Sequence, residues 1–196
     1  SSCKQFLWND IFKNTLLECD KIFKQIGNIS IMEELSRNEI NLNHLTVVQP
    51  LIFSVQIALA RMWIYSFGVN CSAVVGHSLG EIAAVHIAGA LSLEDAARMV
   101  YYRGKLLQRL EGKGKMLIAR ISKQDAMEII KEMNGIEIAA INAPKSITFS
   151  GDIQEMNKLA EKLSSKEISH RFLEMDFAFH SEQIDDSIKK EFLSLV

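Results

Sequence analysis

The chain is short of cysteine, short of proline and nearly neutral, and each shortage closes off a class of protein. Its three cysteines, Cys3, Cys19 and Cys71, form an odd set without metal-ligand spacing. The first residues, Ser-Ser-Cys-Lys-Gln, lack the apolar core of a secretory signal, so the cysteines read as reduced thiols in a cytoplasmic setting, not a disulfide framework. Two prolines in 196 residues leave no proline-rich linker. A net charge of −2 gives no basic footprint, which argues against a nucleic-acid partner. No apolar run reaches the length of a membrane span, so no membrane partner is expected. What remains is an ordinary globular composition, 48% hydrophobic and 23% charged, enough for one domain with a subdomain.

The most informative stretch runs from Cys71 to Gly89. Ala73–Val75 reads as a short buried strand, Gly76-His-Ser-Leu-Gly80 as a sharp turn, and Glu81 onward as an alanine-rich helix. Strand, G-x-S-x-G and helix in that order make a nucleophile elbow, in which the two glycines give the turn steric room. Ser78 is thereby placed at a helix N-terminus, where backbone N–H groups can stabilise an oxyanion.

Elsewhere, hydrophobic period and capping residues divide the chain. Residues 6–26 read as an amphipathic helix stopped by Gly27-Asn28. Ser30, with Glu33 three residues on, caps a short helix. Residues 46–65 read as an apolar core helix with Pro50 near its start and Gly68 past its end. Ser92 with Asp95 caps a helix to about Leu110, whose apolar stripe includes Ala96, Val100 and Leu107. Arg103 lies on that stripe. A guanidinium facing the protein must snorkel, pair with an acid or reach a cavity, and helical position alone leaves these open. Arg98 and Arg109 read as solvated.

After the turn at residues 111–115 the pattern becomes β-α-β-β-α-β: strands at 116–121, 136–141, 146–150 and 169–175, with helices capped by Ser122 and Asp152. That order is the ferredoxin-like arrangement. The expected division is therefore 1–113 with 176–196 for the elbow-bearing part and 114–175 for the ferredoxin-like subdomain.

A serine hydroxyl needs a base, and neutral histidine serves near neutral pH. His44 reads as a surface or capping residue. His77 is held beside Ser78 rather than over it, His86 packs on its helix, and His170 sits on a subdomain strand. His180, where the last strand gives way to polar Ser-Glu-Gln, is the best base by position. The elbow is shared by esterases, lipases, thioesterases and acyltransferases, so a serine hydrolase (a thioesterase above all) and a catalytically inert scaffold fragment stand as alternatives.

Gln49-Pro50, Gly76-His-Ser-Leu-Gly-Glu81, Arg103, Asn142-Ala-Pro with Ser150-Gly151, and Phe177-Ala-Phe-His-Ser181 together resemble the acyltransferase domain of a polyketide synthase, which is similar to malonyl-CoA:acyl-carrier-protein transacylases. The resemblance runs in order over nearly the whole chain. It implies an α/β fold: an α/β-hydrolase-like parallel-sheet core with an inserted ferredoxin-like subdomain. It implies a malonyl-type group carried from coenzyme A to the phosphopantetheine thiol of an acyl carrier protein through a seryl ester, with no cofactor or metal held by the domain. Partners implied are that carrier protein and neighbouring domains such as a ketosynthase.

By the same resemblance Ser78 is the nucleophile, His180 the base, and Arg103 the anchor for the free carboxylate, a role suited to a planar guanidinium. Leu79 supplies an oxyanion N–H, His77 flanks the site, and Gln49 supports it without touching substrate. The segment Phe177-Ala-Phe179-His180 leans to malonyl over methylmalonyl, because a ring at Phe179 crowds an α-methyl; Phe177 fits neither pattern. The family's opening strand with its Gly-Gln-Gly type loop, and its core elements beyond the histidine, have no counterpart here. The expectation is therefore a piece lacking both ends of the core, poorly stable and inactive alone.

Overall fold

The computed structural model describes residues 2–196, which form an α/β fold in two compact units: residues 2–108 with Phe192–Val196, and Arg109–Glu191. The first unit is helical. After a 3-10 turn at Ser2–Phe6 come α1 (Asp10–Gly27), α2 (Ile31–Ser36), α3 (Leu45–Arg61), α4 (Gly80–Ile87) and α5 (Leu93–Leu107). Helix α1 begins later than its hydrophobic period predicts. Asn9 adopts an extended conformation and its side chain accepts the Phe12 N–H, so Phe6 is left in the preceding turn. Asn28, left-handed at φ 54°, closes the helix.

Ser30 caps α2 as expected, accepting from Glu33 N–H, but the second half of the arrangement comes from elsewhere. Asp20 on α1 accepts from the Ser30 hydroxyl at 2.8 Å and the Met32 N–H at 3.0 Å, tying the start of α2 to α1. Asp20 is 7% exposed. Burial works against ionisation there, but Lys24, the Met32 N–H and Ser30 outweigh it and hold Asp20 below the usual carboxylate range.

Helix α3 packs on α1 and α5 and continues through a π-helical turn, Met62–Ser66. Leu45–Ser66 is long and apolar enough to cross a membrane by length and composition, a test the reading of apolar runs does not anticipate. Its apolar residues have an internal use: Leu51, Phe53, Ile57 and Ala58 are buried in one cluster with Phe12, Leu16 and Phe23 of α1 and Ala96 and Val100 of α5. Each of the Leu, Ile, Val and Phe side chains among them contributes roughly 1.5–3 kcal/mol when removed from water. Gly104 lets α5 approach α3, since a side chain there would press on the Leu45 carbonyl.

The second unit carries β1 (Gly114–Ala119), α6 (Lys123–Ile130), β2 (Ile136–Ala143), β3 (Ser146–Asp152), α7 (Ile153–Ser165) and β4 (His170–Phe172). The strands form one antiparallel sheet in the order β2-β3-β1-β4, the ferredoxin-like topology expected from the sequence. Leu117, Ile147 and Phe149 pack against Met156, Leu159 and Leu163 of α7 and Ala126 and Ile129 of α6. The loop after β4 belongs to this unit, whereas the sequence division places residues 176–196 with the elbow. Local bonds explain the placement: Gly112 N–H donates to Asp176 O at 2.8 Å and Gln183 Nε2 to Lys113 O at 3.1 Å. Helix α8 (Asp186–Leu195) follows and spans the division between the units.

One expectation is corrected. Ala73–Val75 is neither a strand nor buried; Val75 is 95% exposed. Extended backbone becomes a strand only when a neighbour completes its hydrogen-bond ladder, and the sheet among the described residues lies wholly in the second unit. That sheet is antiparallel throughout among the described residues and is the ferredoxin-like subdomain's own, distinct from the expected parallel-sheet core. Arg109 is exposed, as expected, and on the surface its guanidinium also pairs with Glu191 through two bonds of 2.6 and 2.7 Å.

Candidate active site

The turn that carries Ser78 is built by its neighbours. Ser78 has φ 54°, a left-handed conformation that L residues other than Asn and Asp seldom adopt. Gly80 N–H donates to His77 O, and Glu81 N–H to Ser78 O, each at 3.0 Å, so the chain turns directly into α4. Gly76 is sterically obligatory, because a Cβ there would collide with the backbone at Gly80 and Glu81. Gly80 is less constrained than its place in the motif implies: a Cβ there would meet only Gln56 Nε2, at 3.5 Å. A strained serine at the head of a helix is the geometry of a nucleophile elbow. The Leu79 N–H is the first backbone donor after it, and Leu79 itself packs on the core.

Arg103 reaches this turn from α5. Its Nη2 donates to Ser78 Oγ at 3.2 Å and its Nη1 to Gln49 Oε1 at 2.8 Å. Gln49, on α3, is 4% exposed. The structure thus brings together three of the residues singled out in the sequence: Ser78, Arg103 and Gln49. Burial pushes the Arg103 guanidinium below its ordinary range, and the charge of Glu81, at the start of α4, opposes the shift. Arginine remains protonated at neutral pH, so a buried positive charge sits beside the hydroxyl. Such an arrangement is suited to an anionic group.

The other candidates are placed as follows. The His77 side chain is exposed. His180 belongs to the second unit, is exposed, and has φ 58°. It does not follow a strand as expected; β4 ends at Phe172, and residues 173–185 are irregular. Phe177 is fully buried, and Phe179 stacks on it with ring centres 5.2 Å apart and planes 6° from parallel. Ser150 is buried in β3, and Gly151 passes so close to the Gly135 carbonyl that a side chain would not fit. Their place in the sequence pattern has a packing explanation.

Two features near the elbow escape the sequence reading. Glu81 acts on Arg103 through space, a relation that spacing along two different helices does not reveal. The far end of α4 is clamped as well. His86 Nδ1 lies 3.0 Å from the Leu91 carbonyl, which can only accept, so the proton is on Nδ1. His86 Nε2 is then the acceptor for Arg61 Nη2 at 3.3 Å, and Arg61 also pairs with Glu18 at 2.6 Å. Among the described residues no cluster of His, Cys, Asp and Glu is placed to hold a metal.

Comparison with known proteins bears on this geometry. Residues 5–196 match the model of the acyl transferase domain family. The chain is 37% identical over 179 residues to erythronolide synthase EryA3 of Saccharopolyspora erythraea, covering 90% of this chain and 6% of that protein. Among solved structures, the acyltransferase domain from module 8 of the salinomycin polyketide synthase superposes with a TM-score of 0.89 at 33% identity, covering 95% of this chain and 44% of that one. A malonyl CoA-acyl carrier protein transacylase from Clostridium perfringens superposes with a TM-score of 0.82 at 27% identity, covering 99% of this chain and 63% of that one. The chain therefore spans a small fraction of the synthase and less than two thirds of either structure.

Proposed function

The chain belongs to the acyl transferase domain family, and from that premise we propose that it moves a malonyl-type acyl group from coenzyme A to the phosphopantetheine thiol of an acyl carrier protein in polyketide assembly. The observation that carries the reading is the Arg103 guanidinium beside Ser78 Oγ. A buried cation at the nucleophile has little use for a neutral acyl chain and direct use for a free carboxylate.

In this reading His180 takes the Ser78 proton as Oγ attacks the thioester carbonyl. The Leu79 N–H steadies the oxyanion at the head of α4. Collapse breaks the carbon–sulfur bond, and the departing coenzyme A sulfur takes the proton from His180, so the free thiol leaves and the imidazole is neutral again. The carrier thiol then gives its proton to His180 and attacks the seryl ester, and Ser78 recovers a proton as it leaves. Arg103 holds the distal carboxylate through both halves. Phe179, stacked on Phe177, narrows the space beside the acyl α-carbon and so favours malonyl over methylmalonyl. Neighbouring synthase domains, a ketosynthase among them, are the expected company of the carrier protein.

The test separates transfer from hydrolysis. Full-length protein is loaded with radiolabelled malonyl-CoA and then given a carrier protein bearing phosphopantetheine. The reading predicts label on the carrier and none with Ser78→Ala. Label released chiefly as free malonate, carrier or no carrier, would make the protein a hydrolase instead.

A further inference from the structure

We infer that Gln49 is a positioning residue whose neutral side chain fixes the Arg103 guanidinium without cancelling its charge, and that this neutrality sets the site's preference for carboxylated over neutral acyl groups; the inference rests on Ser78 being the acylated residue. A buried arginine ordinarily pairs with a carboxylate, which offsets the cost of taking the charge out of water. Arg103 does not. Its two hydrogen-bond partners are an amide oxygen and a hydroxyl oxygen. None of the ion pairs among the described residues includes it. Glu81 acts on it only through space and is itself exposed, so solvent weakens that influence.

Gln49 is placed for this by the backbone. Gly104, next to Arg103, lets α5 close on α3 at Leu45 and Thr46, one helical turn before Gln49. The 4% exposed amide therefore meets Nη1 inside the unit, away from competing water. With one edge of the fork tied to Gln49, Nη2 points at Ser78, and the donors left over remain open to an arriving carboxylate. A glutamate at position 49 would have the same shape and reach, but would complete a buried salt bridge. The guanidinium would then gain little from a second anion.

The experiment uses full-length protein, wild type, Gln49→Glu and Gln49→Met, each offered equal malonyl-CoA and acetyl-CoA, with the acyl group on Ser78 identified by mass spectrometry. In Gln49→Glu the malonyl-to-acetyl ratio on the serine should fall at least about tenfold, with acetyl loading held within about threefold of wild type. In Gln49→Met, which keeps the volume and removes the acceptor, the KM for malonyl-CoA should rise while acetyl loading stays unchanged. A purely structural role would depress both substrates together. An unaltered ratio in Gln49→Glu with the fold intact overturns the inference. If Gln49→Glu does not fold, Gln49→Met decides: equal losses for both acyl groups overturn it, a loss confined to malonyl upholds it. No acyl-serine on the wild type would instead remove the premise, and the inference with it.

Discussion

Arg103 Nη2 stands 3.2 Å from Ser78 Oγ, although the two residues are 25 apart in sequence and on different elements. The bond uses a lone pair of the hydroxyl oxygen, not its proton, so the guanidinium leaves that proton free for the base that the proposed nucleophilic role requires. Burial of Arg103 keeps the interaction in a low-dielectric setting, where charge recognition is strongest.

Removing that guanidinium should separate two classes of acyl donor. Arg103→Ala is expected to lower malonyl loading by about 10- to 100-fold, the range of one charged hydrogen-bonded contact. Acetyl loading should change far less. Competitive loading followed by mass spectrometry measures both at once, and equal losses would contradict the carboxylate-anchor role.

The glycines of the elbow should behave differently from each other. Gly76→Ala puts a methyl group into the backbone at Gly80 and Glu81, so it should destabilise the turn by several kcal/mol and abolish acylation. Gly80→Ala meets only the end of the Gln56 side chain, at 3.5 Å, and begins a helix where alanine is favourable. Its thermal midpoint and loading rate should stay near wild type. The comparison needs a melting curve and a loading time course for each variant.

Asp20 should make stability depend on acid. Its folded-state pKa lies below its unfolded value, so its contribution is complete above about pH 4. That contribution is lost as pH falls through the folded value. Asp20→Asn should therefore cost roughly 1–3 kcal/mol at pH 7, with the gap from wild type narrowing in urea titrations as the pH falls below the ordinary carboxylate range. A gap that persists unchanged at acid pH would show that packing, not the ionised carboxylate, holds α2 to α1.

The thiols should react unequally. Cys19 is 1% exposed, and burial pushes its thiol up to about 11, whereas Cys71 is exposed. Iodoacetamide at pH 8 should label Cys71 rapidly and Cys19 only after denaturation. Peptide mapping reads the two sites separately.

Much of this architecture is legible in the sequence because it is local. Ser30, Ser92, Ser122 and Asp152 each cap the helix that their neighbours announce, and the four-strand order follows from alternating short elements. The α1 boundary is less legible, since Asn9 outranks an apolar period that runs on to Phe6. The Ala73–Val75 reading depends on a partner strand, which no local pattern can report. The Gln49 contact with Arg103 is hidden for a related reason: it joins two helices across 54 residues and depends on the close approach that Gly104 allows. Arg103 itself stands out as a charge on an apolar stripe, but its helix position does not say what it touches.

The most direct test of the account is the mass of the Ser78 peptide after the full-length protein meets malonyl-CoA. The account predicts a malonyl ester on Ser78, absent from Ser78→Ala and sharply reduced in Arg103→Ala. A folded protein that shows no adduct on Ser78, or carries the acyl group on another residue, would contradict it.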